Sequence, residues 1–256
     1  MKEVRFFYVP DAKSGILPSD EASHCARVLR LKEGDELMLA DGHGVFYKAQ
    51  LTAVSNHKCL YSIIEEDVQK KAWEGNIHIA VAPTKNMDRI EWFAEKATEI
   101  GIDRLSFLNC RFSERTVIKN ERVEKILVSA LKQSHKAFMP QLDEMMPFKK
   151  FVEEADAEDK FICHCYDEGD LADDCRETPA EEARIVDGKP LLHDLLCRGK
   201  KTLVMVGPEG DFSIDEVEFA LRHGFRSVSL GKSRLRTETA ALTAVHMMWL
   251  VNQNCD

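Results

Sequence analysis

From residue 77 onward the chain alternates between short apolar segments and longer amphipathic segments, and this alternation constrains the fold more than any other feature. Apolar runs of strand length occupy residues 77–82, 105–108, 161–165, 202–206 and 227–230. Helical patterns follow, beginning near Asn86, Asn120, Ser213 and Thr237, and Ser213 with Glu216 fits a capping box. Strands that alternate with helices predict an α/β layer fold with a mostly parallel sheet.

The first 70 or so residues follow a different pattern, typical of a small all-β unit. Strands are predicted at residues 4–9, 36–40, 45–54 and 58–64, with a short helix over residues 18–29. An Asp41-Gly42 turn favours a hairpin between the second and third strands. Residues 65–74 are polar and fit a linker. We therefore predict two domains, residues 1–72 and residues 73–256.

The charge of the chain is unevenly distributed. A formal net charge of −9 at first argues against a nucleic-acid partner, because phosphate binding depends on Lys and Arg. However, residues 153–182 hold 13 acidic and 2 basic side chains, which leaves 33 basic and 31 acidic side chains elsewhere. We predict that this acidic segment is a solvated loop turned away from phosphate, so the composition does not exclude RNA.

Several common classes of protein are not indicated. No apolar run is long enough to span a bilayer, and residues 1–10 carry charges where a signal peptide needs an apolar core. The eight cysteines are irregularly spaced, and Cys163-His164-Cys165 has no second ligand pair at zinc-site spacing. The sequence has no G-x-G-x-x-G dinucleotide-binding motif after a predicted strand, no Walker motif and no G-x-S-x-G hydrolase elbow. We expect a cytoplasmic protein with reduced thiols, no metal and no membrane partner.

Two loops that contain glycine follow predicted strands, where α/β sheets bind their ligands. Residues 206–213 read VGPEGDFS, and residues 230–240 read LGKSRLRTETA. Glycine lets a backbone approach a ligand closely, and the helix that follows presents free N–H groups. The alternative that the glycines only make tight turns stays open.

These two loops resemble those of the RsmE family, bacterial 16S rRNA uridine-N3 methyltransferases of the SPOUT class. The similarity rests on Gly207-Pro208-Glu209-Gly210 with Phe212-Ser213, and on Leu235-Arg236-Thr237-Glu238-Thr239-Ala240. Less specific motifs extend it over nearly the whole chain, namely Val28-Leu29-Arg30-Leu31, Gly34-Asp35, Lys96-Ala97-Thr98-Glu99, Ser113-Glu114-Arg115 and Gln133-Ser134.

The resemblance implies an N-terminal PUA-like RNA-binding β-barrel followed by a SPOUT α/β domain with a C-terminal trefoil knot. It also implies a homodimer that binds S-adenosylmethionine in the knot. The implied substrate is one uridine, methylated at N3, in 16S rRNA or in the assembled small ribosomal subunit. The implied cofactor-binding residues are Val206, Gly207, Pro208, Glu209, Gly210, Leu230, Gly231, Leu235, Arg236 and Thr239.

The chain departs from the family pattern at a few positions. Asp211 stands where the family usually has a second glycine, and Ser233-Arg234 stands where an arginine and an isoleucine are usual. Lys136 stands at a position that is commonly arginine. The RNA-binding residues that we predict are Arg27, Arg30, Lys32, Arg111, Arg115 and Lys136, and the departures bear on these substrate contacts more than on cofactor binding.

Methylation of uridine N3 requires that its proton be lost and that the resulting charge be stabilised. We predict that Arg236 stabilises this charge, because a guanidinium stays protonated and offers a planar fork of donors. Glu238 is predicted either to act as the base or to orient Arg236. The alternative for Glu238 is a favourable charge at a helix N-terminus, and Thr237 or Thr239 could cap that helix.

Other functions stay open at this point. A knotted methyltransferase could act on tRNA or on a ribose hydroxyl. A non-catalytic RNA-binding assembly factor could keep the same fold. A small-molecule α/β enzyme could lack an RNA partner, although the N-terminal β unit argues against it.

Overall fold

We describe residues 5–175 and 183–254 of a computed structural model of the chain. The chain folds into two units, each with its own core. The first comprises Met1–Lys71 with Leu127–Met139, and the second comprises Ala72–Ile126 with Pro140–Asp256. The segment Leu127–Met139 therefore groups with the N-terminal residues, and the predicted domain boundary after residue 72 stays a prediction.

The first unit is built on a four-stranded sheet whose strands lie in the order β1-β2-β3-β4. The strands are β1 (Phe6–Tyr8), β2 (Glu36–Ala40), β3 (Val45–Val54) and β4 (Cys59–Val68). Helix α1 (Ser19–Ser23) continues into a π-helical turn at His24–Val28. The buried face is made of alternating apolar residues such as Phe7, Leu37 and Leu39, as expected for strands with one face on a core.

The predicted linker at residues 65–74 is wrong at its start, because β4 continues through Glu65 to Val68. This part of β4 pairs with residues 45–48 of β3, and its side chains are exposed. Charged residues on the exposed end of an edge strand give no apolar alternation, so the sequence pattern missed them.

The second unit contains a parallel sheet, as predicted, with helices between its strands. Its strands are β5 (Asn76–Val81), β6 (Arg104–Asn109), β7 (Gln141–Leu142), β8 (Met146–Pro147), β9 (Asp159–Cys163), β12 (Lys201–Val206) and β13 (Arg226–Val228); β10 (Ile185–Val186) and β11 (Lys189–Pro190) form a separate hairpin. The order is β13-β9-β12-β5-β6-β7, and β8 also pairs with β6.

The helices that follow are α2 (Met87–Ile100), α3 (Asn120–Gln133), α4 (Phe148–Glu154), α5 (Leu192–Leu195), α6 (Ile214–Arg222) and α7 (Thr237–Asn252). Asn86 caps α2 by accepting the backbone N–H of Asp88 at 3.0 Å, as predicted. The sequence pattern predicts that α3 ends near Ala137, but the helix ends four residues earlier at Gln133, because His135 takes a left-handed backbone conformation (φ 51°). In the described part of the chain, no helix is both long enough and apolar enough to cross a bilayer.

The described part of the acidic segment is more packed than predicted. Leu171 and Cys175 are buried, and Tyr166 donates a hydrogen bond from its hydroxyl to the carbonyl of Phe212 at 2.8 Å. The backbone N–H of Ala172 donates to Glu218 on α6 at 2.9 Å. Residues 167–175 are therefore held against α6, and residues 176–182 lie outside the described residues.

Candidate active site

The carboxyl ends of β9, β12 and β13 border a cavity of about 800 Å³ in the second unit. Strand order explains this, because β9 lies between β12 and β13 and all three run in the same direction. Nearly all the predicted cofactor-binding residues line the cavity: Val206, Gly207, Pro208, Glu209, Gly210, Leu230, Gly231, Leu235 and Arg236.

The loop after β12, residues 207–213, is fixed by hydrogen bonds to its neighbours. The backbone N–H of Ala82, after β5, donates to the carbonyl of Val206 at 2.9 Å. The Glu209 carboxylate accepts the N–H of Lys85 at 3.0 Å, which ties this loop to the segment after β5. The structure thus gives Glu209 a role in holding the loop.

Asp211, which stands where the family usually has a second glycine, also helps to hold this loop in place. Its φ of 66° is a left-handed conformation that Asp tolerates better than most residues with a Cβ. Its carboxylate accepts the N–H of Cys165 at 2.8 Å and that of Phe212 at 2.7 Å. An aspartate therefore links the loop to the chain after β9, which a glycine could not do.

The loop ends in the predicted capping box. The N–H of Glu216 donates to the Ser213 hydroxyl at 3.4 Å, and Glu216 in turn accepts the N–H of Ser213 at 2.8 Å. Glu216 also accepts the backbone N–H of Arg111 at 2.8 Å. This buried carboxylate therefore joins α6 to the segment after β6.

The loop after β13, residues 229–236, makes fewer internal contacts. Ser229 accepts the N–H of Gly231 at 3.2 Å through its hydroxyl. Lys232, Arg234 and Arg236 are not buried, and their side chains form no hydrogen bond or ion pair with any described residue. Three unpaired cations therefore border the cavity from one loop.

Glu238 and Thr239 lie in the first turn of α7 and are not among the residues that line the cavity. Glu238 is buried, and its Oε1 lies 3.8 Å from the Nε of Arg89. The sequence predicts that Glu238 either acts as the base or orients Arg236. The cation beside it is Arg89, so no contact supports the orientation of Arg236.

Comparisons with known proteins decide the family. The family model of the RNA methyltransferase domain matches residues 71–249, which is more than half of the chain. The chain belongs to this RNA methyltransferase family. A second family model, the RNA methyltransferase PUA domain, matches residues 17–64. The predicted α/β fold with a PUA-like N-terminal domain is thus confirmed.

Relatives of this RNA methyltransferase cover almost its whole length. A Bacillus subtilis protein named Ribosomal RNA small subunit methyltransferase E is 27% identical over 243 residues, covering 93% of this chain and 90% of the relative. A structure from Porphyromonas gingivalis, described as a probable rRNA-methyltransferase, is 39% identical with a TM-score of 0.83, and the match covers 97% of this chain and 98% of that one.

A third relative was solved with a ligand. The Ribosomal RNA small subunit methyltransferase E from Neisseria gonorrhoeae, bound to S-adenosyl methionine, is 25% identical with a TM-score of 0.80. The match covers 99% of this chain and 100% of that chain. These relatives confirm the resemblance to the RsmE family.

The RNA methyltransferase carries its predicted RNA-binding residues in both units. In the first unit Arg27, Arg30 and Lys32 are not buried, and partial burial of Lys136 lowers its pKa. In the second unit Arg111 is exposed and pairs with Asp215 at 3.0 Å. Their contacts with RNA stay predictions.

Arg115 has a structural contact in the second unit. Its guanidinium donates to the carbonyls of Thr84 at 3.3 Å and Lys85 at 2.6 Å. It therefore holds the segment after β6 against the segment after β5.

Several residues that line the cavity were missed by sequence reasoning. They are Arg89, Cys163, His164, Cys165, Tyr166, Asp187 and Lys189. Burial lowers the pKa of His164 to about 3, and its Nε2 lies 2.8 Å from the Ser227 hydroxyl, so this ring is neutral at ordinary pH. Burial also raises the pKa of Cys163 to about 12, so its thiol is protonated.

One signal could have found Arg89. It is the third residue of α2, where the helix dipole disfavours a cation. It also follows the carboxyl end of a sheet strand, where ligands bind.

Proposed function

We propose that this chain transfers a methyl group from S-adenosylmethionine to N3 of a specific uridine in 16S rRNA of the small ribosomal subunit. The observation that carries the proposal is the cavity in which the two family loops meet and at which the unpaired guanidinium of Arg236 lies. The name of the Bacillus subtilis relative and the ligand of the Neisseria gonorrhoeae relative support it.

The residues at the cavity fit S-adenosylmethionine. A volume of about 800 Å³ is within the usual range for ligand pockets. Apolar side chains of Val206, Val228 and Leu235 offer a wall for a purine ring, and backbone groups lie beside them. A Cβ on Gly231 would meet no atom within 4 Å, so the backbone there is open to the cavity.

S-adenosylmethionine supplies an electrophilic methyl group, so the chain itself has to align and activate the nucleophile. Arg236 is free to donate hydrogen bonds to a uridine carbonyl oxygen, where negative charge collects when N3 loses its proton. Glu238 is buried and does not line the cavity, so it would act only by positioning a residue that reaches the cavity.

A SPOUT trefoil knot in the second unit is part of the proposal. Residues 190–192, which lie between β9 and β12 in the chain, pair with the loop after β13, and Leu191 forms a parallel bridge with Ser229. The N–H of Leu192 donates to the Ser229 carbonyl, and the N–H of Ser229 donates to the Pro190 carbonyl, both at 2.9 Å. Residues 190–192 therefore cover the loop after β13, and α7 follows this loop in the chain. This arrangement supports a chain that is threaded through a knot.

We also propose that the enzyme is a homodimer acting in the cytoplasm. Most residues of α7 are apolar and they are spread around the helix, which is typical of a helix that is buried on most sides. Trp92 on α2 and Leu250 on α7 are nevertheless exposed by 44% and 47%. A second copy would cover these side chains.

The substrate contacts complete the proposal. Arg27, Arg30 and Lys32 would bind rRNA phosphates from the PUA-like domain, and Arg111 with the exposed Phe112 would meet a phosphate or a base. The double variant Arg27→Ala with Arg30→Ala is expected to bind rRNA more weakly, and its affinity for rRNA should fall less steeply as the salt concentration rises. Unchanged rRNA binding by the double variant would show that Arg27 and Arg30 do not contact the rRNA.

The experiment that tests the function is mass spectrometry of 16S rRNA nucleosides from a strain that lacks the gene. We expect 3-methyluridine to disappear and to return when the gene is restored. Persistence of 3-methyluridine, together with loss of a different methylated nucleoside, would assign another acceptor. Titration of the purified protein with S-adenosylmethionine separates an enzyme from a non-catalytic RNA-binding factor, which would bind none.

A further inference from the structure

The carboxylate of Glu238 is buried and incompletely paired. The residue is 7% exposed, its Oε1 lies 3.8 Å from the Nε of Arg89, and its Oε2 is buried without a hydrogen-bond donor among the described residues. Removal of a carboxylate from water is unfavourable unless a cation compensates it. Arg89 is the cation that does so within the described structure.

Arg89 connects this carboxylate to the cavity. Its Nε faces Glu238, and the residue lines the cavity beside Arg236 and Thr237. Its side chain is 37% exposed, and its two Nη atoms form no hydrogen bond with any residue of the described ranges. A guanidinium held at Nε keeps a pair of Nη donors that match the two oxygens of a carboxylate or a phosphate.

We propose that Arg89 binds an oxyanion of the ligand in the cavity through its Nη groups, and that Glu238 is a positioning residue that holds Arg89. The inference rests on the proposed function. Two ligand groups have the required chemistry, the carboxylate of S-adenosylmethionine and an rRNA phosphate beside the target uridine. Either would compensate the charge of the neighbouring Arg236, which is an unpaired cation, because the Glu238–Arg89 pair is itself neutral.

The test compares Arg89→Lys, Glu238→Gln and the double variant Arg89→Ala with Glu238→Gln. The double variant is used because Arg89→Ala alone would leave a buried carboxylate without its cation and could unfold the protein. Arg122→Ala is the matched control, since it removes an arginine that pairs with Glu91 on α2 but does not line the cavity.

Calorimetry measures the Kd of S-adenosylmethionine and of methylthioadenosine, which lacks the carboxylate, and kinetics give KM and kcat with small subunits. If the cofactor carboxylate is the anion, the double variant weakens S-adenosylmethionine binding by about ten- to hundredfold and leaves methylthioadenosine unchanged. If an rRNA phosphate is the anion, KM for small subunits rises by a similar factor and the Kd of the cofactor is unchanged.

The conservative variants report the positioning role. Arg89→Lys should restore part of the lost affinity, because it keeps the charge but loses the fork. Glu238→Gln should raise the same Kd or KM by a smaller factor with little change in kcat.

Wild-type Kd, KM and kcat in the folded double variant would overturn the inference. A wild-type protein that binds no S-adenosylmethionine or does not methylate small subunits would instead overturn the proposed function.

Discussion

The loop after β12 and the loop after β13 border one cavity, but they use their polar side chains in opposite ways. In residues 207–213 the side chains of Glu209, Asp211 and Ser213 all bond to backbone N–H groups. In residues 229–236 three cations have no hydrogen bond or ion pair within the described structure. The first loop uses its polar groups to fix its own shape, and the second keeps them free for a ligand. Substitutions should therefore affect stability in the first loop and activity in the second.

The largest effect is expected for Arg236→Ala. Loss of a donor that stabilises charge in the transition state should lower kcat by about 100- to 1,000-fold. The free energy of unfolding should not change, because the guanidinium has no partner within the described residues. Methyl transfer is measured with S-adenosylmethionine saturating, and Arg222→Ala, which removes an exposed arginine on α6, is the control. Unchanged turnover would show that Arg236 is not catalytic.

Asp211→Ala should test the first loop. The variant loses two hydrogen bonds to backbone N–H groups and places alanine at a φ of 66°. We expect a loss of about 3 kcal/mol in the free energy of unfolding. Asp211→Gly removes the same carboxylate without the conformational strain, so its loss should be smaller by about 1 kcal/mol. Equal stability of wild type and both variants would contradict the supporting role of this loop.

His164 is buried and directly precedes Cys165, whose N–H donates to Asp211 of the first loop. The imidazole of His164 predicts a pH dependence of stability. Its folded pKa of about 3 is below the usual 6.5, so the unfolded state binds the proton first as the pH falls. The free energy of unfolding is therefore at its maximum above pH 6.5 and decreases towards pH 3, by about 2 kcal/mol for this group between pH 6.5 and 5.

Denaturant titrations at several pH values test this dependence. His164→Gln should lose that part of the dependence, whereas His223→Gln, at an exposed histidine, should keep it. Identical pH profiles for wild type and His164→Gln would contradict the assignment.

Ser213→Ala removes the cap of α6 and should lower the free energy of unfolding by about 1 kcal/mol. The Kd of S-adenosylmethionine should change less than twofold if the cavity wall keeps its shape. A thermal melt and a titration on the same sample separate the two effects. A large loss of affinity without loss of stability would place Ser213 among the ligand contacts.

Arg234→Ala is expected to have the smallest effect. Its side chain lines the cavity and is exposed, and a single exposed phosphate contact contributes about two- to fivefold to affinity. The slope of the logarithm of the rRNA-binding constant against the logarithm of salt concentration should become shallower by about 1. The free energy of unfolding should stay the same. A loss as large as that of Arg236→Ala would mean that Arg234 contacts the reacting nucleotide.

Local features of the structure could be predicted from the sequence. The Ser213–Glu216 capping box and the Asn86 cap depend on neighbouring residues only, so they are visible in the sequence. The two loops could be placed at the site because ligands bind at the carboxyl ends of strands.

Features that depend on strand order could not be predicted. His164 reaches the cavity because β9 lies between β12 and β13. Lys189 reaches it from β11, next to the bridge between Leu191 and Ser229. Arg89 reaches it from α2, which follows the strand on the other side of β12. No local pattern encodes that order. The pairing of Glu238 with Arg89 rather than Arg236 was missed for the same reason.

A crystal structure of the protein grown with S-adenosylmethionine tests the central claim most directly. Electron density for the ligand is expected in the cavity, against the backbone of residues 206–210 and 230–235. The loop at 207–213 should keep its hydrogen bonds, and the loop at 229–236 should move to contact the ligand. Density outside this cavity, or a second loop that makes no contact with the ligand, would contradict the account.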